Sequence, residues 1–192
     1  MDNRFLNAFT EPSRVKILGR FLYPFCLKHR VRLEAIESPL LKSGQEVQAL
    51  DLLVAIKICA EEDISEISLM DSWRLARLRS DKDYFIRTLR EFERYVFIKN
   101  WPKFWEKTKE GRSDVGVPWI LTVVTNLLQA GISEERAWEM PECQAIWLST
   151  AMMVSRGADV QVLSTEEEDL MKELKEAEGK QDKSQDKKTE SA

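Results

Sequence analysis

The chain predicts a mainly α fold: a single compact multi-helix domain of six or seven helices, with a short extended segment near the N-terminus. Three observations predict it. Apolar residues recur at helical spacing along most of the 192 residues. Composition is that of a globular protein, 43% hydrophobic and 32% charged. One stretch, Val117 to Ala130, is long, periodic and apolar, and no charge falls between Val115 and Ser133.

Residues 1–13 read as a flexible N-terminal arm ending at Glu11-Pro12-Ser13, and a helical domain occupies 14–163. From Val15 to Phe25, Val15, Ile17, Phe21 and Tyr23 alternate around Gly19, which predicts an extended segment or short hairpin. Cys26 to Ile36 turns helical on Leu27, Val31, Ala35, Leu33 and Ile36, and Ser38-Pro39 ends it. A helix over Glu46–Ala60 has a broad apolar face needing cover on more than one side. Ser65–Leu78 is the next, with Ile67, Met70 and Trp73 inward and Arg74 and Arg77 outward. Asp81 N-caps the cleanest amphipathic helix. Its Phe85, Leu89, Phe92 and Val96 share one face, while Arg87 and Glu91 are spaced as an i, i+4 pair.

Residues 106–115 read as an exposed loop. In the apolar stretch, Pro118 fits a first helical turn and Gly131 a left-handed stop. Ile120, Val123, Val124, Leu127 and Leu128 form a stripe that Trp119 and Leu121 widen, so this helix is expected in the middle of the core. Ser133 opens a short helix with Glu134 and Glu135 in its first turn. Met140-Pro141 begins another, to about Arg156, with Ala145, Leu148, Ala151 and Met152 inward and Gly157 as stop. Residues 164–178 form an acidic C-terminal helix with a capping box from Thr165 to Glu168. Residues 179–192 lack large apolar side chains and are expected to be disordered.

Function classes narrow by exclusion. A membrane span needs roughly 20 mostly apolar residues. The apolar run ends at Leu128, contains Thr122, Thr125 and Asn126, and lacks flanking Lys/Arg clusters. Asp2 and Arg4 argue against a signal peptide. Residues 164–192 hold ten acids against six bases, and the preceding 163 residues hold 23 of each. Nothing in that balance steers the domain to nucleic acid or an anionic membrane. Cys26, Cys59 and Cys143 are odd in number and widely spaced, as buried thiols in a reducing compartment are.

No reaction centre emerges, and no enzyme is expected. His29 is the only histidine; without ligands at metal spacing it predicts no zinc site and reads as a polar position on a helix flank. Glu34 and Asp51 are its conceivable acidic partners. Glu61-Glu62 and Glu134-Glu135 sit at helix ends, where capping and solvation explain them. The glycines form no phosphate-binding pattern, and no cofactor is implied. Residues 72–112 carry twelve bases against six acids, interleaved with Trp101, Phe104 and Trp105, a pattern shared by nucleic-acid footprints and solvated helix faces. The mixed charge along it favours the solvated face. Trp101, Phe104 and Trp105, with Trp138 and Trp147, are better candidates for protein contact, because aromatic anchors dominate binding hot spots.

Two motifs carry a resemblance. Pro24-Phe25-Cys26-Leu27-Lys28-His29, followed by Leu33 and Ser38-Pro39, resembles an L-x-P-F-x-L-x-H…L…S-P pattern of small proteins in tailed bacteriophages and prophages. Ala137-Trp138-Glu139-Met140-Pro141, then Ala145-Ile146-Trp147 and Gly157-Ala158-Asp159-Val160, is similar to a helical pair of the same proteins. Together they cover about sixty residues. These proteins belong to tail morphogenesis, most nearly the tail-assembly chaperones. The resemblance implies a non-enzymatic helper in the cytoplasm of a bacterial host, holding a tail component such as the tape measure before tube polymerisation. A structural virion component, such as a head–tail connector or tail-completion protein, is the alternative, and a nucleic-acid module on 72–112 a third.

Overall fold

The computed structural model describes residues 2–10, 14–42, 44–97, 100–104, 116–164, 166–171 and 173. It is mainly α, as the sequence predicts. Helices α1 (Asn3–Thr10), α2 (Leu27–Ala35), α3 (Ala49–Cys59), α4 (Leu69–Ser80), α5 (Lys82–Val96), α6 (Trp119–Gln129), α7 (Glu134–Glu139) and α8 (Glu142–Ser155) carry the domain. Strands β1 (Val15–Ile17) and β2 (Arg20–Leu22) form a hairpin, and β3 (Lys103–Phe104) pairs antiparallel with β4 (Val162–Leu163).

The hairpin turns through Leu18 and Gly19, both at positive φ (50° and 76°). That two-residue turn suits the right-handed twist of its strands and pairs Ile17 with Arg20 and Val15 with Leu22. The inward residues of β2 are therefore Arg20 and Leu22, while Phe21 and Tyr23 face solvent.

Two cores result. The larger gathers Ile17, Leu22, Phe25, Leu33, Leu52, Ala55, Ile56, Leu78, Phe92 and Val96 around α3. The second joins Leu27 to Ile120, Val123, Val124 and Leu127 of α6, Ala137 of α7, and Ala145 and Ile146 of α8. Helix α3 is buried on most sides and takes the central place expected of 117–130. Helix α6 covers only one side of the second core, because Trp119, Leu121 and Leu128 face outward. Gly131, at φ 84°, stops it as expected.

Helix α2 spans both cores, with Leu27 in one and Leu33 in the other. Between them Arg30 reaches Glu142 at the start of α8 through two hydrogen bonds. This polar seam displaces the expected face: Val31, Ala35 and Ile36 are exposed, while His29 and Arg30 are buried. Likewise α8 buries Glu142, Ser149 and Thr150 and leaves Ala151 exposed. Glu37, at φ 52°, ends α2 in a left-handed turn that lets the Ser38 N–H donate to Leu33 O.

The segment expected as a weakly specified arm contains α1. Gln144 donates to Ala8 O, Phe5 meets Trp147 edge-on, and Arg4 pairs with Asp2 and Glu168. At the other end Ser164 and Glu167 form a capping box, and the one expected from Thr165 lies outside the described residues. Residues 166–171 are helical, and the predicted disorder of 179–192 lies outside the described residues, as does the loop 106–115.

His29 is a core residue, not a flank position. Among the described residues neither ring nitrogen has a hydrogen-bond partner, and Glu61, rather than Glu34 or Asp51, is the nearby acid at 3.7 Å. Burial, with Lys28 and Arg32 adding to it and Glu61 opposing, lowers the His29 pKa from 6.5 to about 4. An unfolded chain takes up the proton near pH 6.5, the folded one only near 4. Stability from neutral His29 is therefore complete above pH 6.5 and lost as pH falls toward 4, by roughly 3 kcal/mol. Urea unfolding from pH 7.5 to 4.5 is expected to show most of that loss in the wild type and little in His29→Leu. Equal slopes in the two proteins would contradict the assignment.

Candidate protein-docking surface

The two motifs behind the phage resemblance lie more than a hundred residues apart and meet in space. Cys26 and Pro141 form a β-bridge, and the Glu142 N–H donates to Phe25 O at 2.8 Å. Phe25, His29, Ser38, Ala137 and Met140 are buried, and Pro24, Pro39, Trp138 and Pro141 are half-buried. The motif residues build the joint between the two cores and present little surface.

The aromatic candidates are also largely engaged. Trp101 packs on the second core, 5.9 Å from Trp119 and against the Arg30 guanidinium. Trp138 packs on the same core. Trp147 is half-buried, and its indole N–H donates to Asn100 O at 2.8 Å. Phe104 is exposed on β3, opposite Val162, and Trp105 lies outside the described residues.

An apolar surface exists elsewhere, where α4 begins. Ile64, Ile67, Leu69, Met70 and Trp73 are 45, 60, 92, 56 and 59% exposed. Leu69, Met70 and Trp73 occupy positions i, i+1 and i+4 of a helix, so they share a side and lie within one turn. Ile64 continues the strip into a groove that Ile36, Ile58 and Arg32 also line. Singly exposed apolar residues are ordinary, whereas five within ten residues make a patch of the kind that marks interaction sites.

The reason these residues face outward is the polar anchor beneath them. Asp71 is buried and accepts hydrogen bonds from Arg20 on β2, from Lys57 on α3 at 3.3 Å and from the Ser68 N–H at 3.2 Å. Ser68 Oγ accepts in return from the Asp71 N–H, which closes the capping box of α4. With Asp71 and Leu78 facing in, helical geometry turns Leu69, Met70 and Trp73 out. The sequence assignment of Met70 and Trp73 to the core is thus reversed, and Arg74, expected outside, is partly buried 3.5 Å from Asp71. Burial opposes the charge on Asp71, but Arg20 and Ser68 outweigh it and hold the carboxyl well below the usual carboxylate range.

Basic groups border the patch. The Arg77 guanidinium lies over Tyr84 at 4.1 Å and near Trp73 at 5.8 Å, and Arg87 lies over the same Tyr84 ring at 5.6 Å. The expected Arg87–Glu91 pair is not formed; Arg87 takes the aromatic face instead. A signal for this surface was present in the sequence: apolar residues at 64, 67, 69, 70 and 73 cover more of a helix circumference than one packing contact hides.

Among the described residues no group of three His, Cys, Asp or Glu is placed to hold a metal ion. No helix among them is long and apolar enough to cross a membrane. Cys26 and Cys59 are buried free thiols, each pushed up by burial, Cys59 to about 12, which is the opposite of an activated nucleophile. No family model, curated protein or solved structure matches the chain.

Proposed function

We propose that this chain is a non-enzymatic protein-binding factor of tailed-phage morphogenesis, close in role to a tail-assembly chaperone. It holds an apolar segment of a tail component, such as the tape measure, until the tube forms. The observation that carries this reading is the exposed strip Ile64–Trp73. An apolar patch held out by a buried anchor supports a protein partner better than it supports catalysis. The resemblance of residues 24–39 and 137–160 to tail-morphogenesis proteins supplies the biological setting.

The test is co-expression with a candidate client, a long helical tape-measure-type tail protein. A soluble complex that co-purifies is expected, and mass spectrometry of purified particles is expected to find this chain absent. A client equally soluble without it, with no co-purification, would refute the reading. Presence in mature particles at fixed copy number would make it a structural virion component instead.

A further inference from the structure

We infer that the α4–α5 face docks an acidic amphipathic helix, its apolar stripe on Leu69, Met70 and Trp73 and its carboxylates on Arg77 and Arg87. The inference rests on the protein-binding reading above and names the chemistry of the partner. Three observations carry it.

The first is shape. Leu69 to Arg77 covers nine residues of one helix, a rise of about 12 Å, and leads with the apolar residues. A partner helix laid along it presents side chains at i, i+3 or i+4 and i+7 to such a strip. The second is charge. Helices α4 and α5 carry Arg74, Arg77, Arg79, Lys82, Arg87, Arg90 and Arg94 against Asp71, Asp83, Glu91 and Glu93, and Asp71 is buried. Among the described residues, Arg77, Arg79, Arg87, Arg90 and Arg94 make no ion pair within 4.0 Å. With the Asp81 cap between the helices counted, cations remain in excess on this face, which favours a neighbour that brings carboxylates.

The third is pre-organisation. Arg77 and Arg87 both lie against the Tyr84 ring, and Arg77 is also near Trp73, so two planar guanidiniums share one aromatic side chain at the end of the strip before any partner arrives. Guanidiniums bind carboxylates through paired hydrogen bonds, and holding them on an aromatic face reduces the entropy lost on binding. A polyphosphate is the poorer fit. Asp63 and Glu66 stand exposed at the Ile64 end of the strip, and Leu69, the most exposed residue of the patch, offers nothing to a phosphate.

The experiment uses the full chain and two labelled synthetic helices of about eighteen residues. Both carry leucine at i, i+4, i+7 and i+11; one is flanked by glutamate and the other by lysine. Fluorescence anisotropy is expected to show the glutamate helix bound at least about tenfold more tightly, as charge-assisted hydrogen bonds to arginine allow. Arg77→Glu with Arg87→Glu is expected to reverse the preference, and Leu69→Ser with Trp73→Ser to abolish binding of both. Equal binding of the two helices by the wild-type chain overturns the inference, and so does a preference for lysine. Tighter binding to duplex DNA or to anionic phosphatidylglycerol vesicles also overturns it, as does self-association that the glutamate helix does not compete away. A tail protein that co-purifies while the glutamate helix is ignored removes this inference and leaves the proposed function standing. A bound glutamate helix with no tail protein retained does the reverse.

Discussion

Asp71→Asn is expected to lower stability by about 3–5 kcal/mol, the range for removing one member of a buried ion pair. The residue is 1% exposed, and its side chain serves three cations and a helix N-terminus at once. Its amide replacement leaves Arg20 and Lys57, themselves 7 and 5% exposed, as cations without their anion. Arg20 keeps Glu62, at 2.7 Å, and Lys57 keeps the Glu66 carbonyl, which is why the effect stops short of unfolding the chain outright. At this size each kcal/mol corresponds to roughly 2–4 °C, so the melting temperature is expected to fall by about 6–20 °C. Asp63→Asn, at an exposed carboxylate that only caps Ser65, is the comparison and is expected to stay within about 0.5 kcal/mol. A similar small change for Asp71→Asn would show that the buried cluster does not hold α4.

The seam between the cores gives the second large effect. Glu142→Gln removes the charge opposite Arg30 and leaves a guanidinium that cannot deprotonate, enclosed by Phe25, Trp101 and Trp119 at 5.4–5.6 Å. A loss of about 3 kcal/mol is expected. Arg30→Met leaves the acid instead, and the acid has an escape. Burial already holds the Glu142 carboxyl above its usual range with Arg30 opposing, so without Arg30 it takes up a proton more readily. A carboxyl with a raised folded pKa binds more protons folded than unfolded. Stability of Arg30→Met relative to wild type is therefore expected to rise as pH falls from 8 to 5, while Glu142→Gln shows no such recovery. Urea titrations at the two pH values read this directly, and parallel behaviour of the variants would contradict it.

Both effects concern polar residues inside the protein, and the same residues explain what the sequence could and could not tell. Helix α5 was legible to its cap: Asp81 accepts from the Tyr84 N–H at 2.9 Å, and Phe92 and Val96 are buried on the expected face. Helix α3 was legible as the one needing cover on several sides, and the hairpin from its turn. Periodicity works there because polar residues face water. In α2 and α4 it fails, because His29, Arg30 and Asp71 are inside: Arg30 and Asp71 reach partners 14 to 112 residues away in the chain, and the acid beside His29 is Glu61, 3.7 Å away. A stripe of Ile67, Met70 and Trp73 then reads as core when it is surface. The apolar stretch 117–130 misled for a related reason. Its composition says how apolar the helix is, and only the packing of α7 and α8 decides which side is covered. The aromatic strip at 101–105 looked like a site, yet Trp101 closes the second core over Arg30. Helix α1 has too short a period to register at all.

The central claim is that the outward face of α4 holds the client. The most direct measurement is the co-expression complex made with Leu69→Ser and Trp73→Ser in place of the wild-type chain. Both positions are more than half exposed, so thermal stability is expected to stay within about 0.5 kcal/mol of wild type. The account predicts that the folded variant no longer retains the tail protein, which returns to the insoluble fraction. Undiminished retention by that variant would contradict the claim and place the client elsewhere on the molecule.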